Sequence, residues 1–133
     1  MPSSPSRPRR DIDDVVDAPV HDRARALRRM GEDRDLYREM IRLLYDDGPR
    51  CLDEVRTALN QEDFCEAERA AHTLKGLAGN FEALRTMASA ERVQSAAKAG
   101  SLFDLRDGLG RLEMAFAELV SALSQELDGP ASQ

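Results

Sequence analysis

The stretch SLFDLRDGLGRLEMAFAELVSAL, residues 101–123, decides the fold of this 133-residue chain. Its large apolar residues recur at alternating steps of three and four, which is the spacing of a helix face that packs at a shallow angle in a bundle. The positions of this seam are Leu102, Leu105, Leu109, Leu112, Phe116, Leu119 and Leu123. We therefore predict a long helix over residues 102–126.

Helical periodicity extends upstream from this seam to Val20. Gly31 and Gly100 are suited to end helices and Asp33 to begin one. In the helix that follows Asp33, the pattern assigns Leu36, Met40, Leu43 and Leu44 to the apolar side. The remaining predicted helices span residues 20–30, 34–59, 63–81 and 84–99. The predicted fold is all-α, an antiparallel four-helix bundle with a short additional N-terminal helix.

The bundle is expected to occupy residues 19–127. Residues 1–18 combine a Pro-, Ser- and Arg-rich start with a run of aspartates, a composition that favours a flexible tail because it buries little apolar surface. Residues 128–133 are predicted to be a disordered C-terminus.

Composition and charge exclude several classes of function. The net charge of −6 and the pI near 5.0 argue against a nucleic-acid partner, which usually requires a basic patch. No apolar run approaches the roughly 20 residues of a membrane span, and two isolated cysteines do not form a disulfide framework. We expect a cytoplasmic monomer.

One segment of the chain, AERAAHTLKGLAGNF at residues 67–81, carries a histidine and two glycines inside an otherwise amphipathic helix. His72, Lys75, Gly76 and Gly79 are spaced i, i+3, i+4 and i+7, so they share one face. The apolar residues Ala70, Leu74, Leu77, Phe81 and Leu84 share the opposite face. The spacing therefore predicts an exposed histidine rather than a buried one.

The two glycines need a reason, because each costs roughly 0.8 to 1 kcal/mol relative to Ala in an exposed helix interior. Without Cβ atoms at Gly76 and Gly79, the surface beside His72 is flat. Another protein can then bring an active site up to the imidazole ring. We interpret the glycines as partner-binding positions.

The chemistry that suits this face is phosphoryl transfer. A neutral imidazole keeps one nitrogen lone pair and can act as a nucleophile, and Lys75 supplies a cation one turn away. A metal site is a poor alternative, because His21 lies far away in the chain and no ligand stands four residues after His72. The chain contains no glycine-rich phosphate loop or serine elbow, so autonomous kinase or hydrolase activity is not expected.

The motif AAHTLKGLAGNF closely resembles the signature of histidine-containing phosphotransfer (HPt) domains, the intermediates of multistep two-component phosphorelays. The similarity extends to ALRRMGEDRDLYREMIRLL before the motif and to AAKAG after it, and so covers about residues 20–125. The resemblance implies a phosphohistidine carrier without kinase activity of its own.

By this resemblance His72 is the phosphoacceptor and Lys75 assists phosphoryl binding, while Gly76 and Gly79 admit a receiver domain. Gln94 stands where the family often has a Gln or Glu that orients the acceptor imidazole. The partners implied are receiver domains of a hybrid histidine kinase or of a response regulator. No cofactor is expected on this chain, since the receiver should supply its own aspartate and Mg²⁺.

The sequence departs from the family pattern at two places, and it leaves two alternative functions open. Glu82 replaces a usual Gly, which predicts a weaker break after the third helix, and Val93 and Gln94 replace a common Leu-Glu pair. One alternative function is a helical interaction module that has lost phosphotransfer. The other is the phosphoacceptor domain of a chemotaxis-type histidine kinase, which we would expect to continue into further domains beyond DGPASQ.

Overall fold

The computed structural model describes residues 18–128, which form five helices without any β-strand. The helices are α1 (Arg23–Arg29), α2 (Arg34–Gln61), α3 (Phe64–Gly79), α4 (Leu84–Ala99) and α5 (Leu102–Asp128). The all-α prediction is confirmed, and the predicted helix ends lie within three residues of the observed ones. Apart from Ala18 and Asp128, the predicted tails at 1–18 and 128–133 lie outside the described residues.

Polar caps explain where most of these helices begin. The residue before each of α1, α2, α3 and α5 accepts a hydrogen bond with its side-chain oxygen. The donor is the backbone N–H three residues later in the chain, and the N···O distances are 3.0 to 3.1 Å. Such a cap typically contributes about 1 kcal/mol. The capping residues are Asp22, Asp33, Asp63 and Ser101. Gly31 and Gly100 follow α1 and α4 with φ of 72° and 68°, the left-handed conformation that glycine adopts without strain.

The four long helices occupy successive corners of the bundle. Helix α3 packs against α2 and α4, and α5 packs against α4 and α2, so α3 and α5 lie on diagonal corners. Six of the seven seam positions of α5 are buried and Leu102 is half-buried. The face of α3 that fills the core carries Ala67, Ala70, Ala71, Leu74 and Ala78. The small alanines of α3 and α4 let these two helices approach closely.

Helix α1 and the residues before it cover one end of the bundle. The backbone N–H of Asp22 donates to the carbonyl of Phe81 at 2.9 Å. His21 Nε2 lies 2.6 Å from Glu126 Oε2 on α5, and Arg23 Nε donates to the same carboxylate at 3.2 Å. Burial alone would raise the pKa of Glu126, but hydrogen bonding to His21 and the nearby cations lower it below its ordinary value. His21 therefore holds the N-terminal segment against α5 at this end of the bundle, away from His72.

A buried glycine on α2 permits close contact with α5. A Cβ atom at Gly48 would lie 2.3 Å from Cζ and 2.6 Å from Cε1 of Phe116, whose ring is buried. Since no side chain fits between the α2 backbone and this ring, the position requires glycine.

We expect Gly48→Ala to destabilise the bundle by about 1 to 3 kcal/mol, because the added methyl group displaces the Phe116 ring or the helix. The matched control is Gly110→Ala on α5, where a Cβ atom meets nothing within 4 Å. This control should gain about 0.8 to 1 kcal/mol. Chemical denaturation of both variants checks the pair, and a Gly48→Ala protein as stable as wild type would contradict the packing described.

Candidate functional site

The outer face of α3 presents His72 to solvent. His72, Thr73 and Gly76 are exposed, whereas Ala71 and Leu74 on the opposite side of the same turns are buried. The helix therefore holds the imidazole on a rigid backbone while its core face anchors α3 against α2 and α4. The orientation predicted from the helical spacing is the orientation observed.

Helix α4 places Gln94 beside the histidine. Gln94 Nε2 lies 3.4 Å from His72 Nδ1, the long end of the hydrogen-bond range. Val93 is fully buried and fixes this part of α4 against the core. The amide can be turned by 180° about its last bond, since its nitrogen and oxygen are close in size. With the oxygen toward the ring, Nδ1–H donates to Gln94 and Nε2 keeps its lone pair for solvent or a partner.

Lys75 lies one turn from His72 and is held by α4. Its Nζ atom is 2.6 Å from Glu91 Oε2, and its side chain is about one third exposed. The ammonium group is thus close to the His72 face and already paired with a carboxylate. A phosphoryl group or other anion at His72 therefore competes with Glu91 for the Lys75 ammonium group.

The two glycines of α3 have different surroundings. A Cβ atom at Gly76 would meet nothing within 4 Å, so this position is open surface. Gly79 is the last residue of α3 and is half-buried, and a Cβ atom there would lie 3.7 Å from Cε of Met87 on α4. Of the two, Gly76 is the one whose missing side chain leaves free space.

Apolar side chains of α2 extend this surface. Leu36 and Leu43 are 39% and 38% exposed, so part of the apolar side of α2 is left uncovered. Leu43 shares a helical stripe with Glu54, which pairs with Arg69 of α3 at 3.7 Å, and the stripe therefore faces α3. We call the surface formed by His72, Gly76, Gly79, Leu36 and Leu43 the His72 face.

Between Leu36 and Leu43, Met40 is half-buried and its sulfur accepts from the Asn80 amide at 3.6 Å. This contact places the α2 stripe beside the C-terminal end of α3. The i, i+4, i+7 spacing of the three α2 residues was visible in the sequence, but it did not reveal that part of the stripe is uncovered.

The turn after α3 corrects one prediction. We expected Glu82 to weaken the break between the third and fourth helices, but α3 ends at Gly79 and Glu82 adopts φ of 55°. A non-glycine residue in this left-handed conformation is uncommon and costs of the order of 1 kcal/mol. Its carboxylate pairs with Arg29 and lies 3.8 Å from Arg25, both on α1. Glu82 thus joins the turn to α1, and these arginines offset its negative charge.

The part of the chain from residue 18 to residue 128 contains no group of three or more His, Cys, Asp or Glu side chains that could hold a metal ion. Cys51 is buried and Cys65 exposed, and both are free thiols. None of the described helices is both long enough and apolar enough to cross a membrane.

Comparison with known protein families identifies the family of this chain. A protein-family model described as Hpt domain matches residues 39–127, well over half of the chain. This range holds His72, Lys75, Gly76, Gly79 and Gln94 and leaves α1 outside. Searches of curated proteins and of solved structures each returned no match.

Proposed function

The chain belongs to the Hpt domain family, and on this premise we propose that it carries a phosphoryl group on His72 between receiver domains of a phosphorelay. The observation that carries the proposal is the His72 face itself. An exposed imidazole lies on a rigid helix, with Gln94 at 3.4 Å on one side and the open surface of Gly76 one turn away. This arrangement suits a nucleophile that a second protein must reach.

The transfer step follows from the two ring nitrogens. Nε2 of neutral His72 attacks the phosphorus atom of an aspartyl phosphate on the partner, forming an N–P bond as the P–O bond to the aspartate breaks. The aspartate leaves as a carboxylate, and Nδ1 retains its proton toward Gln94. The reverse step passes the phosphoryl group to a second receiver. The receiver would supply the aspartate and Mg²⁺, and this chain the positioned nucleophile.

The partners proposed are receiver domains of a hybrid histidine kinase, of a response regulator, or of both. Leu36 and Leu43 supply apolar contact area beside the glycines, and an interface of this kind is stabilised mainly by such buried contacts. The function is that of a carrier and not of a kinase. The proposal is tested by mixing the chain with a phosphorylated receiver, which should label it, and with ATP alone, which should not.

Lys75 offers a more detailed test of the proposed chemistry. We expect Lys75 to leave Glu91 and pair with the phosphoryl group on His72, because a dianionic phosphate attracts the ammonium more strongly than one carboxylate does. Lys75→Ala should therefore shorten the lifetime of the phosphohistidine or slow its formation, without removing the site. The decay of labelled protein over time measures this effect.

The matched variant is Glu91→Gln, which frees Lys75 while keeping the shape of its neighbour. It should leave the phosphohistidine at least as long-lived as in wild type. If Lys75→Ala changes neither the rate of labelling nor the rate of decay, Lys75 is only a surface partner of Glu91.

A further inference from the structure

Helix α5 carries a second exposed apolar surface, remote from His72. Phe103 is 77% exposed and Met114 is 71% exposed, the largest values among the exposed large apolar side chains of the described residues. They are eleven residues apart, which is three helical turns or about 16 Å on one stripe. Gly110 lies between them, and a Cβ atom there would meet nothing within 4 Å. The backbone of α5 is therefore open to close approach at the centre of this stripe.

This surface faces away from the His72 face. Helices α3 and α5 lie on diagonal corners of the bundle, and the exposed side of each points outward. A protein bound to α5 leaves His72 and its surroundings accessible. The α5 stripe is therefore available for a different contact from the one proposed for phosphoryl transfer.

Charged residues border the stripe in an ordered way. On the side toward α2 lie Arg106 and Glu113, the latter paired with Arg56 of α2. On the side toward α4 lie Asp107 and Arg111, which form an i,i+4 pair at 3.1 Å. Each of these two pairs thus combines one cation with one anion, separated by one or two turns of helix, and the side toward α4 also carries Glu118, which pairs with Arg85.

We propose that α5 packs antiparallel against α5 of a second copy of this chain, about a two-fold axis that passes between Gly108 and Leu109. In this register Phe103 of each copy lies opposite Met114 of the other, a sulfur–aromatic contact of a favourable kind. A two-fold interface repeats every contact twice. The open backbone at Gly110 lets the helices approach at the centre.

The charges suit a second copy of this chain as the occupant, and the direction follows from Phe103 and Met114, which lie opposite each other in the antiparallel arrangement. An antiparallel copy in the same register brings Arg106 opposite Glu113 on one border and Asp107 opposite Arg111 on the other. A parallel two-fold copy would instead bring the two different borders together, with Arg106 opposite Asp107 and Glu113 opposite Arg111, and it would place Phe103 against Phe103 and Met114 against Met114. One contact helix per copy makes a small interface, of the size found in weak complexes, and the net charge of −6 on each copy opposes association. The dimer is therefore expected to form at high protein concentration and to leave two His72 faces free, in place of the monomer expected from sequence.

Analytical ultracentrifugation of the full chain from micromolar to millimolar concentration tests the proposal. Wild type should shift from monomer toward dimer, and Phe103→Ser with Met114→Ser should weaken association by at least about tenfold, equivalent to 1.4 kcal/mol. Asp107→Arg should also weaken it, because two arginines then face each other. The double variant Asp107→Arg with Arg111→Asp exchanges the charges and should restore association.

All of these residues are exposed and remote from the core, so the variants should fold, and circular dichroism verifies this. A wild-type protein that stays monomeric at every concentration would overturn the proposal. So would a dimer that the Phe103 and Met114 changes do not affect, or a charge exchange that fails to restore association. Coverage of Phe103 by residues 1–17 of the same chain, seen as a change in its NMR signals when those residues are removed, would overturn it as well.

Discussion

The His72→Gln protein is expected to accept no phosphoryl group from a phosphorylated receiver while keeping its fold. Gln lacks a nucleophilic ring nitrogen, so no N–P bond can form. The side chain at position 72 is exposed and outside the core, and its replacement should change the free energy of unfolding by no more than about 0.5 kcal/mol. Labelling with phosphorylated receiver and thermal denaturation by circular dichroism provide the two readouts.

The second histidine is the matched control. His21→Gln should be labelled like wild type, although it loses the 2.6 Å contact with Glu126 and with it some stability. If His72→Gln unfolds the protein, the imidazole has a structural role that its exposure does not indicate. If it is still labelled with acid-labile phosphate, the acceptor is another residue.

The second large effect is expected at Gly76. Gly76→Leu adds four carbon atoms to an open part of the His72 face, one turn from the histidine. We expect phosphoryl transfer to fall by on the order of a hundredfold, the cost of keeping the reacting groups even slightly misplaced. The bundle should remain folded because the new side chain points to solvent. Single-turnover transfer from a phosphorylated receiver measures the rate.

Gly76→Ala separates docking from folding. It should stabilise the free protein by roughly 0.5 to 1 kcal/mol, because Ala is the better helix former and no neighbour lies within 4 Å of the new methyl group. Its transfer rate should fall much less than that of Gly76→Leu. Wild-type transfer by Gly76→Leu would show that the receiver does not approach over this part of α3.

The fold was predictable because the relevant signals are local and periodic. The α5 seam at steps of three and four specifies a buried stripe whatever the partner helices are, and the structure buries six of its seven positions. The caps at Asp33, Gly31 and Gly100 act within a single turn of chain. Such features do not depend on how the helices are arranged.

Other features depend on tertiary contacts and were not accessible from spacing. Periodicity places Leu36 and Leu43 on the apolar side of their helix, but whether such a stripe is covered depends on the distance to the next helix. The conformation of Glu82 depends on Arg25 and Arg29, which reach it from α1, about fifty residues earlier in the chain. The requirement for glycine at position 48 comes only from the ring of Phe116.

In the candidate site, too, some features follow from local helix geometry and others depend on tertiary contacts. The exposure of His72 and the openness at Gly76 follow from helical geometry alone. The pairing of Lys75 with Glu91 does not, because the two residues lie on different helices and meet only when α3 packs against α4. The proximity of Gln94 to His72 was expected from the family resemblance rather than from any pattern within this chain.

The most direct measurement is an NMR experiment on the imidazole nitrogens of the ¹⁵N-labelled chain after reaction with a phosphorylated receiver. The ¹⁵N signal of His72 Nε2 is expected to shift and to show coupling to phosphorus, while the signals of both His21 nitrogens stay unchanged. A phosphorus coupling at His21 would contradict the assignment of His72 as the acceptor. So would phosphorylated protein in which neither histidine carries the phosphoryl group.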